Sequence, residues 1–232
     1  MVEIKRGRIR KEAGQRPQVL PRTEATGGRL VEKTFTEEAA RNEAARCMQC
    51  STVCDKCVEV CPNRANYTYI VGAVKSTLPT IAYENGKLVV IGEELFKVAQ
   101  TRQIVHLHDF CNECGNCASF CVHHGKPYQD KPRLFLQECD FKLEDNNAFY
   151  ITGNTIRSRD GGMESKLKIR KDGFIFKNHL VLMSLSIDFK IKEMTLERGF
   201  GGVLSLRKVA EMSLLFNGIT TSLPFLFEDW AK

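Results

Sequence analysis

The spacing of hydrophobic and polar positions changes several times along the chain, and each change predicts a different kind of element. Residues 1–31 are polar and basic with scattered apolar positions, which is typical of an extended arm or linker. Thr34 and Thr36 precede a run of strong helix formers over 37–46. Because Thr side chains cap helices and the first turn is acidic, we predict a helix that leads into Cys47.

The next part of the chain predicts β-strands, because β-branched and aromatic residues dominate it. Segment 67–71 is the first such strand, and segment 103–108 alternates before the chain reaches Cys111. Between them, Asn85-Gly86 separates two apolar segments, which is a strong hairpin signal. We interpret residues 75–97 as an inserted β-hairpin.

From residue 148 onward, short strand-like segments alternate with turn residues, which predicts a small C-terminal β-meander. Its predicted strands are 149–156, 167–169 and 174–176, and its turns lie at 160–162 and 171–173. Such a unit usually covers one face of a neighbouring domain. Residues 178–232 are apolar without a clear pattern; we predict a helix over 204–216 and an exposed hydrophobic contact over 225–230.

The candidate chemistry lies in two runs of cysteines. The first run contains Cys47, Cys50, Cys54, Cys57 and Cys61, and the second contains Cys111, Cys114, Cys117 and Cys121. The second run has the Cys-x2-Cys-x2-Cys-x3-Cys spacing of a [4Fe–4S] ligand loop. The first run ends with the same spacing and a proline, and reaches Cys50 across three residues instead of two.

This spacing suggests two clusters with shared ligands. A short loop that wraps tightly can direct three thiolates at one cubane, whereas the fourth cysteine of each run ligates the other run's cluster. The predicted ligands of the first cluster are Cys50, Cys54, Cys57 and Cys121, and those of the second cluster are Cys111, Cys114, Cys117 and Cys61. Cys47 is a possible alternative ligand to Cys50. Cys139 stands alone and is interpreted as a buried or incidental thiol.

Other uses of cysteine fit the spacing less well. Structural zinc sites usually separate two Cys-x2-Cys pairs by about a dozen or more residues. A disulfide framework is typical of small secreted chains, and this sequence of 232 residues shows no secretory leader. Unligated buried thiols are common, but not in two matching runs. Iron–sulfur ligation is therefore the leading interpretation, and zinc is its main competitor.

Composition and charge place limits on the class of protein. A hydrophobic content of 43% is enough for a packed core, and no apolar stretch is long enough to predict a membrane span. Clustered cysteines without a leader predict a reducing, cytoplasmic location. The formal net charge is +6, of which +5 falls within residues 1–31. Two clusters with a net 2− each would reduce the whole-chain charge to about +2.

The cysteine segments resemble a known family. Three segments are similar to the carboxy-terminal iron–sulfur segment of the putative selenate reductase subunits. They are Asn42-Glu-Ala-Ala-Arg-Cys-Met-Gln-Cys50, the segment 57–66, and the segment 111–121 followed by Gly125-Lys-Pro-Tyr128. Those subunits are related to flavoproteins of the glutamate synthase small-subunit type. The resemblance covers roughly 42–66 and 109–135. One departure is Val122, where the family's second run usually continues with proline.

The resemblance implies that such a segment receives electrons from a flavin- and NAD(P)H-binding body on a partner or a missing domain. FAD and NAD(P)H are expected only there, because no dinucleotide-binding or phosphate-binding glycine motif is present in this sequence. A flavoprotein is thus the expected electron donor, and the redox acceptor is not indicated. The sequence contains no recognisable selenate-binding site.

Together these observations predict an α+β protein with a two-[4Fe–4S] ferredoxin-like core. The predicted organisation is a basic arm over 1–31, a cluster domain over 32–138, and a β-rich accessory region over 139–232. The predicted function is electron transfer within an oxidoreductase, with no catalytic substrate site in this chain. The alternative is a zinc or iron–sulfur protein that binds nucleic acid through its basic arm. No interleaving of aromatic and basic residues supports that alternative.

Overall fold

The computed structural model describes residues 34–45 and 55–228. The basic arm, Cys47, Cys50, Cys54 and Trp230 lie outside these residues. The chain divides into two units, 1–52 and 53–232, which are described separately.

The described part of the first unit is a single helix, α1 (Glu37–Ala45), at the position predicted from the sequence. The Oγ1 of Thr36 accepts a hydrogen bond from the Ala39 amide at 3.2 Å, which caps the first turn. Arg41 pairs with Glu37 at 2.6 Å, in the i,i+4 order that favours a helix. Both the cap and the ion pair follow from local sequence.

The second unit is mostly β-sheet. Its helices are α2 (Lys56–Glu59), α3 (Asn116–Ser119), α4 (Pro127–Asp130), α5 (Glu138–Leu143), α6 (Arg207–Ser222) and α7 (Phe225–Glu228), with a 3-10 turn over His108–Phe110. Its strands are β1 (Asn66–Ile70), β2 (Val74–Glu84), β3 (Lys87–Val98), β4 (Arg102–Leu107), β5 (Arg133–Phe135), β6 (Ala148–Thr152), β7 (Thr155–Asp160), β8 (Met163–Arg170), β9 (Gly173–Lys177), β10 (Val181–Ser186), β11 (Ile191–Leu196) and β12 (Val203–Ser205).

Nine strands form one sheet in the order β1-β4-β5-β6-β7-β8-β9-β10-β11, in which β5 runs parallel to both of its neighbours. The sheet therefore continues across residue 138, and the predicted cluster domain and accessory region share it. The ferredoxin-like core stays a prediction, because the described chain is mainly sheet with few helices.

The predicted hairpin is present. Strands β2 and β3 pair antiparallel from Val74 opposite Val98 to Glu84 opposite Lys87. Asn85 and Gly86 both have positive φ angles, 47° and 80°, as a tight two-residue hairpin turn requires. Strand β12 pairs with β2, so the hairpin belongs to a separate three-stranded sheet.

The predicted meander is also found, but it is larger than the sequence suggested. Strands β6 to β11 follow one another antiparallel through residue 196. The single strand predicted over 149–156 was wrong, because Gly153 adopts a positive φ of 52° and turns the chain there. The helix predicted over 204–216 begins at Arg207 and ends at Ser222. Of the contact predicted over 225–230, Phe225 is exposed and Leu226 is buried.

The main core lies between α6 and the sheet. Residues of α6 such as Val209 and Met212 are fully buried and share one cluster with Tyr69 on β1 and Leu107 on β4. The Ser222 hydroxyl accepts a hydrogen bond from the Ile70 amide at 2.9 Å. This packing fixes β1 and β4, the strands that connect to the cysteine loops. In the described residues, no helix has the length and apolar composition needed to cross a bilayer.

Candidate metal centre

Two short helices hold the central cysteines of the two runs. Cys57 is the second residue of α2, Cys117 is the second residue of α3, and both side chains are buried. They form a small apolar cluster with Ile104, against which Val60 and Tyr128 also pack. The described part of the first cysteine run, 57–61, therefore meets the second run, although the sequence separates them widely.

The local backbone is the same after both helices. Arg64 donates its amide hydrogen to the Cys61 carbonyl at 3.2 Å, and His124 donates in the same way to the Cys121 carbonyl at 3.1 Å. Arg64 and His124 both have left-handed φ angles, 52° and 55°. The shared Cys-x3-Cys spacing thus produces the same helix and turn twice.

The last cysteine of the first run lies with the first three cysteines of the second run. Cys61, Cys111, Cys114 and Cys117 line a single cavity, together with Asn66, His106 and the loop over 112–116. This is the ligand set that the sequence predicted for the second cluster. Cys114 is exposed and Cys117 is buried, so the cavity extends from the surface to the interface between α2 and α3.

Backbone amides point at two of these thiols. The Ala65 amide donates to Cys61 Sγ at 3.2 Å, and the Glu113 amide donates to Cys111 Sγ at 3.2 Å. The loop can aim its amide at Cys111 because Glu113 and Gly115 both have positive φ angles, 53° and 80°. Hydrogen bonds to sulfur stabilise thiolates and influence the potential of a bound cluster.

The Cys111 thiol resists ionisation. Burial raises the pKa of the Cys111 thiol, the Glu113 amide hydrogen bond opposes this shift, and nearby Cys61 and Cys117 add to it. Ligand cysteines must lose their protons, so binding of a positively charged group would release protons here.

The donor set suits a cluster. Among the described residues, no three Cys, His, Asp or Glu side chains converge closely enough to hold a single metal ion. Four cysteines line the one cavity, and in a cubane site each of four thiolates binds a different iron atom. Four cysteine sulfurs, two of them with amide donors, fit a [4Fe–4S] cluster.

The first predicted site is described only in part. Cys57 is buried and Cys121 is half-buried, whereas Cys50, Cys54 and the alternative ligand Cys47 lie outside the described residues. Beside Cys121, a Cβ atom on Gly125 would lie 3.8 Å from the thiol and 2.9 Å from Asp130 Oδ2, so the chain passes close to the thiol there. The assignment of this site stays a prediction. Cys139 is exposed, and its thiol donates to Asp140 Oδ1 at 3.6 Å.

A buried polar pair next to the cysteines was not predicted from the sequence. Asn66 on β1 and His106 on β4 are opposite one another, and both are nearly inaccessible. The His106 Nδ1 atom lies 2.8 Å from Asn66 Oδ1, and the Asn66 amide donates to the Cys57 carbonyl at 2.9 Å. The available signal was a histidine in a strand that leads directly into the second run.

Comparison with known proteins finds relatives that are named as oxidoreductases. No protein-family model matches the chain, and no solved structure matches it. The chain is 35% identical over 144 residues to the protein named Putative oxidoreductase YgfK of Escherichia coli O157:H7, and to the protein of that name in Escherichia coli strain K12. Each match covers 62% of this chain and 12% of the relative, so the chain corresponds to a small part of these longer proteins.

Proposed function

We propose that this chain transfers electrons through two [4Fe–4S] clusters, as the iron–sulfur module of an NAD(P)H- and flavin-dependent oxidoreductase. The observation that carries the proposal is the cavity that Cys61 shares with Cys111, Cys114 and Cys117. Ligation across two runs is the arrangement of two-cluster ferredoxins. A zinc site would need neither the second run nor the exchange of a cysteine between runs.

The similarity to oxidoreductases supports a redox role. Two relatives carry that name, at 35% identity over 144 residues of this chain. The flavin- and nicotinamide-binding parts are expected on a partner or on another part of a longer polypeptide, as the resemblance of the cysteine segments implies. The resemblance to the putative selenate reductase subunits gives no residue in this chain that would recognise selenate.

The residues of the chain have distinct parts in this function. A [4Fe–4S] cluster, when bound, supplies reversible one-electron transfer. Cys61, Cys111, Cys114 and Cys117 would bind the second cluster, and Cys57 and Cys121 would contribute to the first. The amides of Ala65 and Glu113 hold two sulfurs in place.

Apolar side chains pack around Cys57 and Cys117, one proposed ligand of each cluster. Ile104 is nearly inaccessible between Cys57 and Cys117, and Val60 and Tyr128 close the same cluster. The short helices α2 and α3 pack together, so the proposal expects the two clusters to be neighbours. Stepwise electron transfer between two clusters requires that they lie close together.

Electron transfer can be tested with the reconstituted chain. Anaerobic protein loaded with iron and sulfide should bleach in visible absorbance when a flavoprotein reductase and NADPH are added. The reduced protein should then pass electrons to an added one-electron acceptor such as cytochrome c. Protein that binds iron and sulfide but takes up no electron, even from dithionite, would contradict the proposal. Cys139→Ala is a suitable control, because this exposed cysteine has no predicted ligand role.

A further inference from the structure

The hydrogen bonds of Asn66 fix the proton on the His106 ring. A peptide carbonyl only accepts, so the Asn66 atom 2.9 Å from the Cys57 carbonyl must be the donating NH2 group. The other side-chain atom of Asn66 is then its oxygen, which also only accepts. His106 Nδ1, 2.8 Å from that oxygen, must therefore carry a hydrogen.

The second ring nitrogen of His106 is consequently an unprotonated acceptor. Burial, assisted by the nearby charges of His108 and Arg133, lowers the pKa of His106 to about 4, so the ring is neutral at pH 7. In a neutral ring that carries its hydrogen on Nδ1, Nε2 holds a lone pair. Among the described residues, this buried Nε2 has no hydrogen-bond partner. Buried acceptors without a partner are rare, which indicates a special role.

The strand register places His106 on the side of the cysteines. On β4, Ile104 packs with Cys57 and Cys117, whereas Val105 and Leu107 belong to the main core under α6. Because side chains alternate along a strand, His106 shares the face of Ile104. In agreement, His106 and Asn66 both line the cavity of Cys61, Cys111, Cys114 and Cys117.

We propose that His106 directs its Nε2 lone pair at the metal centre held by these four cysteines and lowers the reduction potential of that centre. The proposal rests on the proposed function. The lone pair carries partial negative charge, and uptake of an electron makes the cavity more negative, so the neighbouring lone pair disfavours reduction. Its effect is opposite to that of the Ala65 and Glu113 amides, whose hydrogens face sulfur. His106 is thus a tuning residue outside the ligand set, oriented by Asn66.

The first test compares two histidine variants. His106→Leu should load with iron and sulfide like the wild type, and its second cluster should be reduced about three- to tenfold more readily. A tenfold change equals about 59 mV for one electron. His108→Leu is the matched control, since His108 lies two residues away and stacks on Phe135 with ring centroids 4.5 Å apart; its potential should stay unchanged. A potential that stays constant or falls in His106→Leu would overturn the proposal.

The second test takes its main result from the wild-type protein, so that result does not depend on how a variant folds. Reduced wild-type protein with 15N-labelled histidine should show a weak histidine nitrogen coupling to the cluster spin in pulsed electron paramagnetic resonance. The coupling should persist in His108→Leu. Iron and sulfide without any such coupling would overturn the role of His106 and leave the proposed function intact. A strong coupling, as expected of a nitrogen bound directly to iron, would show that a histidine is a ligand and would overturn the tuning role of His106. Protein without iron and sulfide would overturn the proposed function and this proposal with it.

Discussion

Cys61 and Cys111 line the same cavity, although one ends the first cysteine run and the other begins the second. Each sulfur accepts a backbone amide hydrogen bond at 3.2 Å. The first run therefore contributes a cysteine to the cavity that the second run lines. In a two-cluster ferredoxin this exchange makes both runs one folding unit.

Removal of Cys61 should affect the second site although it belongs to the first run. Cys61→Ala is expected to lower the iron content from about eight to about four atoms per chain, because one of four ligands of the second cluster is lost. Iron and sulfide analysis after anaerobic reconstitution measures this. Cys139→Ala should retain the full content. Unchanged iron content in Cys61→Ala would contradict the exchange of ligands between runs.

Gly115 should be required for its backbone conformation. Its φ is 80°, and no atom lies within 4 Å of the position of a Cβ, so Gly115→Ala adds backbone strain without a clash. An L-residue there is disfavoured by about 1–2 kcal/mol. We expect the variant to lose iron about fivefold or more faster in the presence of a chelator. Glu113→Gly is the matched control, because it introduces glycine at a left-handed position, and it should retain iron as well as the wild type.

Gly218 on α6 should be required for close packing against the sheet. A Cβ there would lie 2.5 Å from Tyr69 Cδ2 and 2.9 Å from Val71 Cγ1. Gly218→Ala should reduce the free energy of unfolding by about 1–3 kcal/mol despite the better helix propensity of alanine. Urea unfolding measures the change. Gly201→Ala has open space around its Cβ and should change stability by less than about 1 kcal/mol. Equal stability of both variants would contradict this packing.

Arg157 should stabilise the connection between β7, β8 and α5. Its largely buried guanidinium pairs with Glu164 at 2.6 Å and with Glu138, and lies 5.0 Å above the Phe141 ring. Arg157→Met should reduce the free energy of unfolding by about 1–3 kcal/mol, because the Glu164 and Glu138 carboxylates lose their partner. The exposed pair of Lys142 with Glu138 serves as a control, and Lys142→Met should change stability by less than about 1 kcal/mol.

The same network predicts a dependence on pH. Hydrogen bonds from Arg157 and Lys142 lower the pKa of Glu138. A carboxyl group with a lowered pKa in the folded state stabilises the protein above its ordinary pKa, and this contribution is lost as the pH falls through the folded value. Stability should therefore fall less steeply on acidification in Arg157→Met than in the wild type. Urea unfolding between pH 7 and pH 4 measures both slopes, and identical slopes would contradict the prediction.

The cysteine spacing and the turn residues carried most of the predictive information. The repeated Cys-x3-Cys spacing is followed by the same turn in both runs. Asn85-Gly86 located the hairpin, because few residue types tolerate the positive φ angle that each of the two turn positions requires. These features depend on local chemistry. They could be predicted without knowledge of the partner segments.

The remaining parts depend on long-range packing. Strands β10 and β11 and helix α6 lie in a segment whose apolar residues have no simple period, since one face packs on the sheet and other residues contact neighbouring elements. Strand β4 was recognised, but Ile104, Val105, His106 and Leu107 are all buried because both faces of the strand are covered. Hence the special position of His106 could not be read from alternation.

The most direct test of the account is anaerobic analysis of iron, acid-labile sulfide and zinc per chain, followed by electron paramagnetic resonance after dithionite reduction. The account predicts about eight iron atoms and eight sulfides, with a signal from two interacting reduced cubanes. Zinc without sulfide would contradict it.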